Sequence, residues 1–323
     1  MEVVANLRHG YERLHARPRL WVALQLAFVA LILFALSYAV RDVWPDAWPR
    51  LREATPLDLG LSCALLAVYY LSFAVGWQFL LGALGTRVPY AVALGAEMAS
   101  MLAKYVPGGV WTPAARVIAM RRAGYSEPGD TARILASVFL EAGLSAIAGV
   151  LVFFASLRAV GVVDVPTWPL LVFLAAVALF LHPRIFTRVV GRLLRPWGLV
   201  GEIRLGWGTT IGLIAYYCLT WLVGGGALFF LLRAVGGEPA ASSISFLGGV
   251  AAVGAIVAVL SIVAPSGLGV REASMYGLLL TVVTPPVALG ATVLNRLTIT
   301  VLEITLLGVG WFAWRARRTS PPR

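Results

Sequence analysis

Seven apolar runs, at residues 21–40, 57–84, 134–156, 168–181, 208–232, 244–264 and 287–314, leave no remainder that reads as a separate soluble domain. Most of them reach the roughly 17–25 residues that a helix needs to cross a bilayer core. Of the 323 residues, 60% are hydrophobic and only 13% charged, with mean hydropathy +0.86. Soluble domains carry about 25% charged residues. The chain therefore reads as an all-α polytopic membrane protein. The run at 21–40 follows a basic segment but is too long for the apolar part of a typical signal peptide, so it is expected to be an uncleaved first span. The expected organisation is a basic N-terminal stretch at 1–20, one transmembrane domain at 21–314 and a basic tail at 315–323.

A net charge of +11 would suggest nucleic acid in a soluble protein. Here the basic residues fall in short loops between apolar runs, which is the pattern of cytoplasmic loops, and no nucleic-acid partner is expected. The clusters are Arg8/Arg13/Arg17/Arg19, Arg116/Arg121/Arg122/Arg133, Arg184/Arg188/Arg192/Arg195/Arg204 and Arg315/Arg317/Arg318/Arg323. Both termini are accordingly placed in the cytoplasm. The loops 41–58, 158–164 and 233–238 balance arginine with Asp or Glu and read as the outer side. Cys63 and Cys218 sit inside apolar runs, so no disulfide framework is indicated. His9, His15 and His182 share no ligand spacing, and no metal or other cofactor is expected.

These charges impose a parity on the crossings. The span at 57–84 returns the chain to the cytoplasm, and the cluster from Arg116 to Arg133 must also be cytoplasmic. Residues 90–106 are long enough to reach about 25 Å at 1.5 Å per residue. The return leg holds Arg116, Arg121 and Arg122, and a central arginine costs about 2.5–3.5 kcal/mol on insertion scales. A re-entrant hairpin over about 90–124, with its tip at Pro107, Gly108 and Gly109, satisfies the parity more cheaply. A second hairpin over about 244–284, broken at Pro265, Gly267 and Gly269, satisfies it at the other end. Six full spans plus two oppositely oriented hairpins resemble an inverted repeat; eight full spans would leave the termini on the same side.

Broken helices survive in hydrocarbon only where they are buried in protein or line a wet cavity. Proline removes a donor and glycine permits positive φ, so each break frees backbone groups that can face a polar ligand. The plain alternative for the first is a cytoplasmic turn. Lys104 and Trp111 bracket that break and Arg116 follows it; Lys104 and Arg116 suit a phosphate headgroup, or else snorkel to the interface. Arg271 and Glu272 follow the second break directly and are candidate headgroup contacts, or else an interfacial ion pair. Glu97, Glu141, Arg296 and Glu303 lie in or beside apolar runs. They are expected to form structural ion pairs, Glu141–Arg116 and Glu303–Arg271, or to carry protons for coupled transport. Gly224-Gly225-Gly226, Gly248-Gly249 and Ser145/Gly149 read as faces for close helix packing. Tryptophans near span ends, such as Trp44, Trp48, Trp168 and Trp197, fit interfacial belts.

No phosphate-binding glycine loop, zinc spacing or nucleophile elbow appears, which makes an enzyme the weaker class. An intramembrane transferase using Glu141 or Glu272 stays open at this point.

The stretch KYVPGGVWTPAARVIAMRRAG, with APSGLGVREASMYGLLL further on, resembles the lysylphosphatidylglycerol synthase transmembrane-region family, whose members are described as flippase-like. The resemblance runs roughly from Trp21 to Trp314. It rests on Lys104, Tyr105, Pro107, Gly108 and Arg116, and on Pro265, Gly267, Gly269, Arg271 and Glu272. Members commonly carry a glutamate-arginine pair followed by an aspartate; this chain keeps Glu141 but has Ala142 and Ser145 in the other two places. The resemblance implies translocation of a polar-headed lipid, an aminoacylated phospholipid or a glycolipid, across a bacterial cytoplasmic membrane. Lys104, Arg116 and Arg271 would then bind an anionic headgroup. In fused members a soluble synthase follows the membrane part. With the chain ending at Arg323, aminoacyl transfer is expected to belong to a separate partner. Membrane lipids are the expected ligands, with a lipid synthase or glycosyltransferase as candidate partner and homo-oligomers open. The competing expectation is a non-transporting scaffold for such an enzyme.

Overall fold

The computed structural model describes residues 44–104, 111–127, 129–157, 205–261 and 267–319, with side chains to residue 308, and a few single positions besides. The expected spans at 21–40 and 168–181, the basic clusters at the N-terminus, at 184–204 and in the tail, and Tyr105, Pro107, Gly108, Gly109 and Pro265 lie outside the described residues or side chains.

The described residues form nine α-helices. They are α1 (Trp44–Arg52), α2 (Pro56–Ala83), α3 (Tyr90–Ala103), α4 (Trp111–Arg122), α5 (Asp130–Leu157), α6 (Trp207–Ala234), α7 (Ile244–Leu260), α8 (Val270–Leu279) and α9 (Pro285–Thr319). Five segments are long and apolar enough to cross a bilayer: α2, α5, α6, Ala241–Leu260 and Pro285–Gly308. The four full spans expected within the described residues are thus all present. By contrast α3, α4 and α8 have 14, 12 and 10 residues and reach only about 21, 18 and 15 Å. A bilayer core is about 30 Å thick. The second expected hairpin is therefore unequal, because its leading leg is long enough to cross while α8 is not.

Local sequence explains the helix limits. Pro56 opens α2, where its missing N–H is one of the orphans of a first turn. Asp58 sits in that turn, accepts from Thr55 Oγ1 at 3.0 Å and complements the positive helix end. It also faces Arg233 Nε at 3.4 Å. Arg233 is thus paired across to the 41–58 loop, and Thr55 N donates to the Ala234 carbonyl at 3.0 Å. The two loops read from charge as lying on one side do share one end of the bundle.

Packing is inside-out relative to a soluble protein. Leu57, Val68, Phe79, Leu219, Val301 and Ile304 are exposed, whereas Ser137, Thr292, Asn295 and Thr298 are buried. Apolar residues facing outward and polar residues facing inward are what lipid surroundings demand. Helix α6 occupies the centre and packs on α2, α5, α7 and α9. One core joins Leu80, Leu144, Tyr217, Trp221 and Ala252; another joins Leu231, Phe246, Val250, Met275, Leu279 and Val287. The small-residue faces act as expected. A Cβ on Gly225 would strike the Ile244 carbonyl, and one on Gly249 would come within 2.6 Å of Phe153 Cα.

Two pairs of helices fold back on themselves. Ser100 meets Arg116, and Arg87 before α3 meets Tyr125 after α4, whose hydroxyl donates to the Arg87 carbonyl at 3.4 Å. The open end of this pair packs beside Leu81 and Ile134, where α2 ends and α5 begins. In the second pair Gly267 touches Ala258, and Gly254 lies against Arg271 and Met275. Its open end, at Phe246 and Leu279, joins Val235 and Val287 at the opposite end of the bundle. The C-terminal end of α3, at Lys104, and the N-terminal end of α8, at Arg271, therefore come near each other.

Candidate functional site

Arg116 lies on α4, the arginine-bearing return leg. Its guanidinium is buried and pairs with two carboxylates, Glu97 on α3 and Glu141 on α5. Its Nε donates to Ser100 Oγ at 3.4 Å, and the Trp77 ring centre on α2 lies 4.6 Å from its guanidinium carbon. The indole is held in turn, donating to Ser137 Oγ at 2.8 Å. A planar fork suits this position because it serves two carboxylates and stacks on an aromatic face together. The group contains one cation and two anions.

A second group forms where the end of α3 approaches the start of α8. Lys104 directly follows α3, and its ammonium pairs with Glu303 on α9. Glu303 also accepts from the Tyr70 hydroxyl at 2.8 Å. Across from it, Gly269 takes φ 83°, a value that a side chain would strain, and opens α8. The third residue of that helix, Glu272, folds back to accept from the Gly269 N–H at 2.7 Å. Its other oxygen lies 3.4 Å from an Arg296 nitrogen. Arg271 is half-buried and within electrostatic reach of Tyr69, Tyr70 and Lys104. Among the described residues no carboxylate comes within 4.0 Å of its guanidinium. Lys104 also feels Arg296. Among the described residues this group holds three cations, Lys104, Arg271 and Arg296, against two carboxylates, Glu272 and Glu303. The side chains of Lys104 and Arg296 are 29% and 20% exposed, against 7% for Arg116, so the second group is the one a ligand can reach. Glu97 lies within reach of Lys104 and links the two groups.

The predicted site residues thus sort into two clusters. Arg116 meets Glu141 as expected and Glu97 in addition. Glu303 pairs with Lys104, not with Arg271, because α9 packs along α3 and the long lysine stem bridges the gap. Glu272 is taken by Arg296. Gly267 and Gly269 both have positive φ, whereas Pro107, Gly108, Gly109 and Pro265 lie outside the described residues. Trp111 is exposed at the start of α4. With Ala142 as its neighbour, Glu141 draws its cation from a different helix, and the Ser145 carbonyl accepts from Trp221 Nε1 at 2.8 Å. Tyr70, Ser100, Trp77 and Tyr217 escape a reading of charge and breaks. The hydroxyl pair Tyr69-Tyr70 inside an apolar run is the one sequence signal that could have flagged any of them.

No curated protein matches the chain significantly. The family described as the lysylphosphatidylglycerol synthase TM region matches residues 22–308, nearly the whole of the sequence, and with five helices long and apolar enough to cross a bilayer among the described residues the chain belongs to that family of multi-pass membrane proteins.

Proposed function

We propose that this protein carries a lipid with a phosphate-bearing polar head between the leaflets of a bacterial cytoplasmic membrane. The observation behind this reading is the approach of the end of α3 to the start of α8. Among the described residues Lys104 from the first, Arg271 from the second and Arg296 from α9 outnumber Glu272 and Glu303 by a single positive charge. A phosphodiester supplies one negative charge and several acceptors, and charged hydrogen bonds to phosphate are among the strongest available. Acyl chains would stay in the bilayer while the head sits between the turns.

In this reading the two helix pairs are re-entrant hairpins of an inverted repeat that dip from opposite faces, and tilting of one half against the other exposes the head alternately. Arg116, already engaged by two buried carboxylates, serves as a lock that holds the first hairpin to α5. No step of bond making or breaking is required, and the protein acts as a transporter, not an enzyme.

The test is translocation in proteoliposomes of fluorescent phosphatidylglycerol, lysyl-phosphatidylglycerol and a phosphate-free glycolipid. Movement of the two phospholipids well above protein-free vesicles, with the glycolipid left behind, is expected. Equal movement of all three would remove the phosphate from the proposal. No movement of any would turn the reading toward a scaffold for a separate lipid synthase or glycosyltransferase.

A further inference from the structure

We infer that Glu97, Arg116 and Glu141 form a proton-binding site, taking up one proton from solution on Glu141. Two carboxylates share one guanidinium there, which leaves a surplus negative charge in a place shut off from solvent. Glu97, Arg116 and Glu141 are 7%, 6% and 4% exposed. One Glu141 oxygen faces Arg116, while the other, Oε1, is buried without a hydrogen-bond partner. Tyr217 on α6 is fully buried, and its hydroxyl has no partner either. That hydroxyl is packed against Gly76 of α2 and is near enough to feel Glu141, Glu97 and Arg116. A buried carboxylate oxygen without a donor, in a group whose single guanidinium faces two carboxylates, calls for a further positive charge.

A proton fits that requirement. Added to Glu141 Oε1, it cancels the surplus charge. Arg116 then keeps Glu97 as its full counter-ion. On α6 the titratable side chains next to Tyr217 are Tyr216 and Cys218, which donate to the Ser72 and Ala148 carbonyls. On α3 the next charge is Lys104, already paired with Glu303. Helix α2 contributes the Trp77 indole, α7 carries no titratable side chain, and on α5 Asp130 faces Arg133 at 3.7 Å near the helix start.

The site does not depend on lipid movement and can be read directly. Infrared difference spectra of the reconstituted full chain, taken on lowering the pH, should show one carboxylic-acid carbonyl band. That band should vanish in Glu141→Gln and also in Glu97→Gln, which removes the surplus negative charge beside Arg116. Dicyclohexylcarbodiimide, which attacks protonated carboxyls in apolar surroundings, should label Glu141 several-fold more in acidic than in alkaline buffer. This labelling uses the unmutated protein and so survives any folding defect of the variants. A carboxylic-acid band absent at every pH at which the helices persist would overturn the inference, as would a band unaffected by Glu141→Gln and Glu97→Gln or labelling that spares Glu141.

Discussion

Lys104 and Glu303 are 199 positions apart and form an ion pair, with the Tyr70 hydroxyl donating to the same carboxylate at 2.8 Å. One partner stands at the turn of the first helix pair, the other on the last helix. The pair therefore ties the two halves of the chain together at the place where the second turn also arrives. Glu303 is the buried member, with its side chain 4% exposed.

Removing one partner of such a pair strands a charge, whereas removing both need not. Lys104→Met alone should destabilise the fold by roughly 1–3 kcal/mol, less than a fully buried pair because the lysine is part-exposed. The double variant Lys104→Met/Glu303→Leu should recover most of that loss. Thermal unfolding in detergent, followed by near-ultraviolet circular dichroism, measures both. A double variant weaker than either single one would contradict the pairing.

Arg116 should be far less tolerant. Arg116→Ala leaves Glu97 and Glu141 as neighbouring buried carboxylates and should cost about 3–5 kcal/mol, enough to lower yield sharply. Adding Glu97→Gln and Glu141→Gln to that variant should restore yield. Arg116→Lys should rescue poorly, since a single ammonium cannot serve two carboxylates and stack on Trp77. Size-exclusion profiles of the three variants decide the matter.

Close packing of α6 on α7 yields a prediction free of charge effects. The Cβ of any residue at position 225 would meet the Ile244 carbonyl and lie 2.5 Å from the Gly248 nitrogen. Gly225→Val should therefore cost at least about 1–3 kcal/mol, the usual range for overpacking. Gly143, with open space around its Cβ position, should accept alanine without loss. Melting temperatures of the two variants should separate clearly.

The spans were legible because bilayer thickness and backbone satisfaction leave few choices, and the Gly225 and Gly249 contacts followed from small residues in apolar helices. Charge parity foresaw that 90–124 and 244–284 fold back, since Arg116 makes a poor crossing helix. The apolar run at 244–264 was already of crossing length, as Ala241–Leu260 is, but parity counts ends and could not choose between a dipping leg and a crossing one. Pairing was only half legible. Glu141 and Arg116 could be matched as buried opposites, but the choice of Lys104 over Arg271 for Glu303 depends on how α9 lies along α3. Tyr217 carries no formal charge and sits in an apolar run, so its approach to Glu141 emerges only from the packing of α6.

The central claim rests on Arg271, the cation at the second turn without a carboxylate within ion-pair distance among the described residues. The most direct test measures headgroup translocation by reconstituted Arg271→Ala beside the unmutated chain, with thermal unfolding of both. The account predicts near-normal stability and a phospholipid translocation rate reduced about tenfold or more, as expected for a lost charged hydrogen bond to a phosphate. An unmutated rate in a folded Arg271→Ala protein would contradict it.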